Sequence, residues 1–280
     1  MPRQGSLRYL LGEAGFLALR WWEWGPAEAP AVVCIHGLTR CGRDFDDLAR
    51  ALAAEGRRVL CPDLPGRGAS DWLPDPALYA PGSYVVALSH LVARLDGPVD
   101  WVGTSLGGIL GMMLAAAPGT PLRRLVLNDT GFLIAEPAIR RIHAYLAAAP
   151  AAFPDLAALE RHIREVHAPF GALPDAAWRH MAEISALPAA GGGVRLHYDP
   201  ALAAPILASE PAAMDLAGLW ERVALPTLVL RGETSDLLLA ETAAAMARRP
   251  GVEVETIAGC GHAPALMDAA QTERIARFLR

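Results

Sequence analysis

The stretch Val99-Asp100-Trp101-Val102-Gly103-Thr104-Ser105-Leu106-Gly107-Gly108 decides the reading of this chain. It opens apolar and β-prone and reaches Gly103-Thr104-Ser105-Leu106-Gly107. Behind it runs Ile109-Leu110-Gly111-Met112-Met113-Leu114-Ala115-Ala116-Ala117, the pattern of a buried helix. A strand stops, the chain turns sharply, and a helix starts with a serine at the corner. This is the G-x-S-x-G nucleophile elbow in the context that gives the motif its meaning. A serine held in a strained turn has little room, so the residues two before and two after it lack a Cβ. The helix that follows points free backbone N–H groups at the serine. Because a chain with 26 glycines produces such pentapeptides by chance, the rest of the sequence must carry the decision.

Composition narrows the field. The 280 residues suit one large domain or a domain with an insertion, and 53% hydrophobic residues suffice for a substantial core. A net charge of −5 gives no nucleic-acid footprint. All 25 basic residues are arginine, which removes lysine nucleophiles, Schiff bases and a P-loop lysine. The start, Met1-Pro2-Arg3-Gln4-Gly5-Ser6, has no signal-peptide pattern, and no apolar run reaches the ~18–20 residues that span a bilayer. The expectation is a cytoplasmic protein with no membrane partner. Cys34 and Cys61 lie in apolar runs, and Cys41 and Cys260 in loops. Without C-x-x-C spacing they promise neither a zinc site nor a disulfide framework.

Outward from the elbow, the pattern alternates. Leu7–Leu11 and Phe16–Trp24 read as opening strands, with Trp21, Trp22 and Trp24 covering the sheet. Ala31–Ile35 is a short continuous apolar run, as for a strand buried on both faces. A helix over 43–55, a strand at 57–61, a helix over 83–95 and a strand at 124–129 follow. From Thr130 to about Glu221 the alternation breaks into amphipathic pieces, 138–148, 156–166 and 175–187, separated by prolines, with Gly191-Gly192-Gly193 as a flexible joint. It resumes with a strand at 225–232, a helix over 238–249, a strand at 252–257 and a closing helix over 264–279. The sum is an α/β chain with a doubly wound, mostly parallel sheet. Residues 1–130 and 222–280 form the core, and 131–221 an inserted helical cap. In such sheets the chemistry sits beyond the carboxyl ends of the strands.

Loops leaving those ends carry His36-Gly37-Leu38, Ser105, Asp236 and His262. A serine nucleophile needs a base that titrates near neutrality, and the histidine needs an acceptor to fix its tautomer. The order Ser105, Asp236, His262 is that of a strand-end triad. Asp129, at the end of the preceding strand, is the rival acid. His36 reads as a shaper of its loop, and Asp63 and Asp71 as turn ties.

With these residues in view, the chain resembles the α/β-hydrolase superfamily over essentially its whole length. The resemblance rests on His36-Gly37, Asp63-Leu64-Pro65-Gly66-Arg67-Gly68-Ala69-Ser70-Asp71, Gly103–Gly108, Arg231-Gly232-Glu233-Thr234-Ser235-Asp236 and Gly259-Cys260-Gly261-His262. It implies an eight-stranded sheet with a cap. It implies Ser105 as nucleophile, His262 as base and then acid, and Asp236 as orienting acid. The backbone N–H groups of Leu38 and Leu106 become the oxyanion hole. No metal or organic cofactor is implied. The implied reaction is cleavage of a carboxylic ester of a small-to-medium, largely apolar acyl substrate. A serine at the elbow excludes the aspartate-nucleophile branches. Carbon–carbon hydrolysis of meta-cleavage-type products, lactonase or perhydrolase chemistry, and a hydrolase-like receptor are the alternatives; Thr104 stands where many of the carbon–carbon hydrolases carry Asn. Arg40, Phe132, His143, Tyr145 and Trp178 are the candidate substrate contacts, with His197 a further pocket candidate. The partner is a small molecule, and the oligomeric state stays open, a homodimer included.

Overall fold

A computed structural model describes residues 2–280. Eight strands form one sheet: β1 (Arg3–Leu10), β2 (Phe16–Trp24), β3 (Ala31–Ile35), β4 (Arg58–Asp63), β5 (Val99–Thr104), β6 (Leu122–Asn128), β7 (Thr227–Gly232) and β8 (Val252–Ile257). Their spatial order is β1-β2-β4-β3-β5-β6-β7-β8. β1 and β2 pair antiparallel and β2 lies antiparallel to β4; the remaining neighbours are parallel.

The strand period of two divides the core between two faces. Val32, Cys34, Val59, Cys61, Val102, Val126, Leu228 and Leu230 turn to one side, where they meet Leu48, Ala49 and Leu52 of α1 (Asp46–Ala54) and Ile275, Ala276 and Leu279 of a closing helix, Ala269–Leu279. Val33, Ile35, Leu60, Trp101, Leu125, Leu127 and Val229 turn to the other. There they meet α2 (Pro81–Val92), α3 (Leu106–Ala115) and the helix Ala240–Ala247. The opening tryptophans obey the same rule: Trp21 belongs to the second face, Trp22 and Trp24 to the first.

Register sets the carboxyl ends level. Ile35 pairs with Gly103, Thr104 with Asn128, and Asn128 with Leu230. Residues 36, 105 and 129 therefore leave the sheet along one row, beside which β7 runs on to Gly232.

Between β6 and β7 the chain builds α4 (Glu136–Ala147), α5 (Leu156–Val166) and α6 (Asp175–Ser185). Phe153, Leu159, Ile163, Trp178, Met181 and Ala182 form a cluster of their own there. Short pairings absent from the sequence reading also appear, Leu133–Ile134 with Met214–Asp215 and Ala186–Pro188 with Val194–Leu196. Gly191–Gly193 is not a joint but the turn of that second hairpin, closed by Ala189 N–H donating to Gly193 O at 3.2 Å. The closing helix α8, which follows α7 (Ala240–Ala247), starts at Ala269 rather than Pro264. Leu266 lies at φ +59°, which a helix excludes, and the Asp268 carboxylate caps the true start by accepting from Gln271 N at 2.9 Å.

Candidate active site

Two glycines explain the elbow. A Cβ on Gly103 would lie 2.2 Å from Gly107 O, and one on Gly107 would lie 2.1 Å from Ile35 O. The strand, the helix and β3 thus approach closer than any side chain permits. The turn is pinned by the buried Trp101 indole, whose Nε1–H donates to Gly107 O at 3.0 Å. Ser105 itself is forced to φ +53°, a costly conformation for a residue with a side chain, and its hydroxyl stands at the carboxyl edge of the sheet.

His262, in the loop after β8, meets it. Its Nε2 lies 2.9 Å from Ser105 Oγ, and its Nδ1 lies 2.6 Å from Asp129 Oδ2. The residue on the far side of the imidazole is therefore Asp129, and the expectation that Asp236 holds this place is corrected. The physical reason is visible in the two turns. Asp129, at φ +54°, swings its carboxylate inward from the end of β6 and is fully buried. Its Oδ1 accepts from Gly232 N at 2.8 Å and its Oδ2 from Ser235 Oγ at 2.5 Å. After β7 the turn instead points Ser235 inward and Asp236 outward. Asp236 accepts from Arg141 Nε at 2.6 Å and Nη2 at 2.9 Å. Burial works against ionisation of Asp236, but the Arg141 hydrogen bonds and charge outweigh it and hold the carboxyl below its usual range.

The second loop is held just as firmly. His36 is buried; its Nε2 accepts from Leu64 N at 2.9 Å, so its Nδ1 carries the proton and donates to Gly37 O at 2.7 Å. Burial, with Arg67 and Arg40 nearby, pushes its pKa down to about 3, so it stays neutral. Arg40 N also donates to Gly37 O, at 3.3 Å, and Arg67 Nε to Leu38 O at 2.9 Å. Because a trans peptide places N–H opposite C=O, fixing the Gly37 carbonyl fixes where the Leu38 N–H points. Residue 37 borders Ser105: a Cβ there would sit 3.7 Å from Ser105 Cβ. The Leu106 N–H opens α3 and, like that of Leu38, donates to no protein acceptor among the described residues. Asn128 ties the parts together, its Nδ2 donating to Thr104 Oγ1 at 3.0 Å and to Pro264 O at 2.9 Å.

These loops and α4 enclose a cavity of about 70 Å³ over Ser105 and His262. Of the five expected substrate contacts, Arg40 and Tyr145 line it. Phe132 packs on the main core, Trp178 is buried in the cluster of the inserted helices, and His143 lies off the cavity wall. The expectation that these three line the cavity is corrected: Phe132 and Trp178 turn toward packing partners, and His143 is not among the lining residues. His197 also faces elsewhere, its Nδ1 accepting from Gly68 N at 3.1 Å. Asp63 ties its own loop by accepting from Ala69 N and also reaches Gly42 N, whereas Asp71 is not a turn tie: its carboxylate accepts from Ala18 N of β2 and so links its loop to the sheet. Arg40 is closed by Asp44 and Ser185. Phe170, another aromatic of the inserted stretch read as suggesting an apolar pocket, does line the wall, whereas sequence reasoning missed Arg141, Ile142, Val166 and His167 there. Arg141, Ile142 and Tyr145 share one helix face by their spacing, a signal available in the sequence once Tyr145 was chosen. His167 stacks on Phe170 with ring centroids 4.7 Å apart, and burial followed by the Arg40 charge pushes its pKa well below the histidine range.

Chemically, a hydroxyl, an imidazole and a buried carboxylate in line can move a proton off the hydroxyl and stabilise the imidazolium that forms. Free backbone N–H groups beside such a serine are the donors that a developing oxyanion needs.

Comparison with known proteins agrees with the architecture. The sequence pattern of the Alpha/beta hydrolase family matches residues 32–277. A 3-hydroxybutyrate-oligomer hydrolase from Cupriavidus necator is 43% identical over 281 aligned residues, covering 96% of this chain and 95% of its own. A 2-(acetamidomethylene)succinate hydrolase from Mesorhizobium japonicum is 28% identical and covers 83% of this chain and 81% of its own. Among solved structures, an alpha/beta hydrolase from Novosphingobium aromaticivorans superposes with a TM-score of 0.87 at 36% identity, covering 99% and 98% of the two chains.

Proposed function

The chain belongs to the alpha/beta hydrolase family, and from that premise we propose that it is a serine hydrolase cleaving carboxylic esters through an acyl-enzyme on Ser105, with short linear oligo-esters of 3-hydroxybutyrate as its substrates. The observation that carries the reaction is the hydrogen-bonded line Ser105–His262–Asp129. The substrate class is supported by the 43% identity to the 3-hydroxybutyrate-oligomer hydrolase over 96% of this chain. Residues 131–221 serve as the cap over this site and residues 1–130 with 222–280 as its core.

In this reading Ser105 Oγ attacks the ester carbonyl as its proton passes to His262 Nε2. Asp129, accepting from Nδ1–H, stabilises the imidazolium, and the N–H groups of Leu38 and Leu106 receive the oxyanion. Loss of one such donor costs ~3 kcal/mol of transition-state stabilisation. Collapse breaks the bond to the leaving oxygen, which takes the proton from His262 and departs as the alcohol. Water then gives a proton to the same nitrogen, attacks the acyl-enzyme, and releases the acid and the free serine.

The test is hydrolysis of the 3-hydroxybutyrate dimer beside a chain-length series of p-nitrophenyl esters, for wild type and Ser105→Ala. Wild-type turnover that falls by roughly 10³-fold or more in the variant supports the reading. Turnover retained by a folded Ser105→Ala protein refutes it.

A further inference from the structure

Two arginines reach the cavity over Ser105, and they differ in what they leave free. Arg40 is 4% exposed and fully engaged: Nε and Nη2 donate to Asp44 at 2.8 and 2.6 Å, and Nη1 to Ser185 Oγ at 3.0 Å. Arg141 comes from the α4 face that also brings Ile142 and Tyr145 to the cavity. Its Nε and Nη2 hold Asp236, while Nη1 donates to no acceptor among the described residues, and 35% of the side chain is exposed. Asp236 on one edge of the guanidinium orients the plane and leaves the other edge free. Ile142, Val166 and Phe170 give the wall apolar surface beside a histidine held neutral, and Asp44, which also lines it, is engaged by Arg40. A fixed guanidinium edge in such surroundings is a receptor for a carboxylate.

We propose that Arg141 binds a carboxylate carried by the alcohol portion of the substrate, so that the enzyme selects esters of hydroxy acids and cuts the ester bond nearest the free carboxyl end. This rests on the oligo-ester reading above. An oligomer of a hydroxy acid carries one carboxylate, on the alcohol side of every ester bond. Four bonds, roughly 5 Å in extended form, separate the terminal scissile carbonyl carbon from that carboxylate in a 3-hydroxy acid. The cavity over Ser105 is small, about 70 Å³, and cutting one bond further in would set the carboxylate a whole unit farther from Arg141. The product is therefore a monomer released from the carboxyl end.

The experiment compares cleavage of the central ester in the 3-hydroxybutyrate dimer as the free acid and as its methyl ester, for wild type, Arg141→Gln and Arg141→Lys. Wild type is expected to favour the acid in kcat/KM by roughly ten- to hundredfold, mostly through KM, the range of a charge-assisted hydrogen bond. Arg141→Gln is expected to bring the ratio near one, and Arg141→Lys to restore part of it. A trimer labelled in its carboxyl-terminal unit should release the labelled monomer first. A wild-type ratio near one, a ratio unchanged in Arg141→Gln, an equal fall for both substrates, or first release of unlabelled monomer overturns the inference alone. Turnover of p-nitrophenyl esters with neither dimer cleaved overturns the oligo-ester reading and the inference together.

Discussion

Replacing Asp129 by asparagine separates the two acids that the sequence offered. In the structure Asp129 accepts three hydrogen bonds, from Gly232 N, Ser235 Oγ and His262 Nδ1. An amide has one acceptor atom and one donor atom, so the Asp129→Asn side chain cannot satisfy both edges. With its oxygen toward His262, the NH₂ group confronts the Gly232 N–H, and a buried backbone donor loses its partner at a cost of about 1–3 kcal/mol of stability. With its nitrogen toward His262, the imidazole must move its proton to Nε2, which can then no longer accept from Ser105. Either way the imidazolium loses its carboxylate. The expected fall in kcat is about 10⁴-fold, or about 5 kcal/mol of activation free energy. Asp236→Asn removes a half-exposed partner of Arg141 from outside the line and should cost less than about tenfold on a p-nitrophenyl ester, since exposed ion pairs contribute little. Steady-state kinetics of both variants, with a thermal melt to confirm folding, decide the matter. A folded Asp129→Asn enzyme within about tenfold of wild type beside an Asp236→Asn enzyme crippled by roughly 10³ would refute the assignment.

The elbow and three histidines with depressed pKa values make further demands. Gly103→Ala must push a Cβ into Gly107 O at 2.2 Å and should lose roughly 2–3 kcal/mol in urea unfolding, whereas Gly82→Ala, with open space around it, should be neutral or stabilising; equal effects would contradict the close approach. Acid should destabilise the fold. His36 has its folded pKa depressed to about 3, and His167 and His197 lie well below their usual range, so the folded state binds fewer protons than the unfolded one. Their contribution is complete above the unfolded value of about 6.5 and is lost as pH falls below it. Asp63, raised to about 6 by burial, works the other way, contributing stability in acid that is lost as pH rises through that value. Three histidines against one carboxyl leave the unfolded state binding more protons than the folded one, so stability is expected to fall as the solution is acidified below about pH 6.5. A stability curve flat between about pH 7 and pH 5 would rule this out.

The fold was legible because its signals are local. Ala31–Ile35 and Val99–Gly103 are continuous apolar runs, and the glycines around Ser105 announce a turn that only they can make. Ser105 and His262 were legible for the same reason, each flagged by neighbouring glycines. The acid was not. Asp129 and Asp236 both follow a strand at the carboxyl edge, and both precede residues compatible with a turn. What separates them is the φ of +54° at Asp129 and the inward hydroxyl of Ser235, a choice made by contacts 106 residues apart in the chain. The cavity wall failed for a related cause. Trp178 and Phe132 were chosen for their aromatic character, but burial of large aromatic surface is as readily obtained among the inserted helices or against the core, and helical spacing from Tyr145 would have served better.

The loop after β7 nonetheless remains part of the site. Gly232 N–H and Ser235 Oγ–H both donate to Asp129, and Ser235 Oγ in turn accepts from Leu237 N at 3.2 Å and Leu238 N at 3.1 Å. One polar relay thus runs from the start of the turn before α7 through the buried carboxylate to His262 and Ser105. A carboxylate taken fully out of water is tolerated only when hydrogen bonds replace its hydration. Donors on both of its oxygens do so here and hold it fixed, which the imidazolium requires at the moment it forms. The next residue, Asp236, turns the other way and sets Arg141 at the cavity wall. Adjacent positions in one turn therefore serve two tasks: residue 235 holds the carboxylate that pairs with His262, and residue 236 orients the cation proposed to choose the substrate. Removing their polar groups one at a time, as Ser235→Ala and Asp236→Asn, should accordingly affect kcat in the first case and the acid-to-methyl-ester preference in the second.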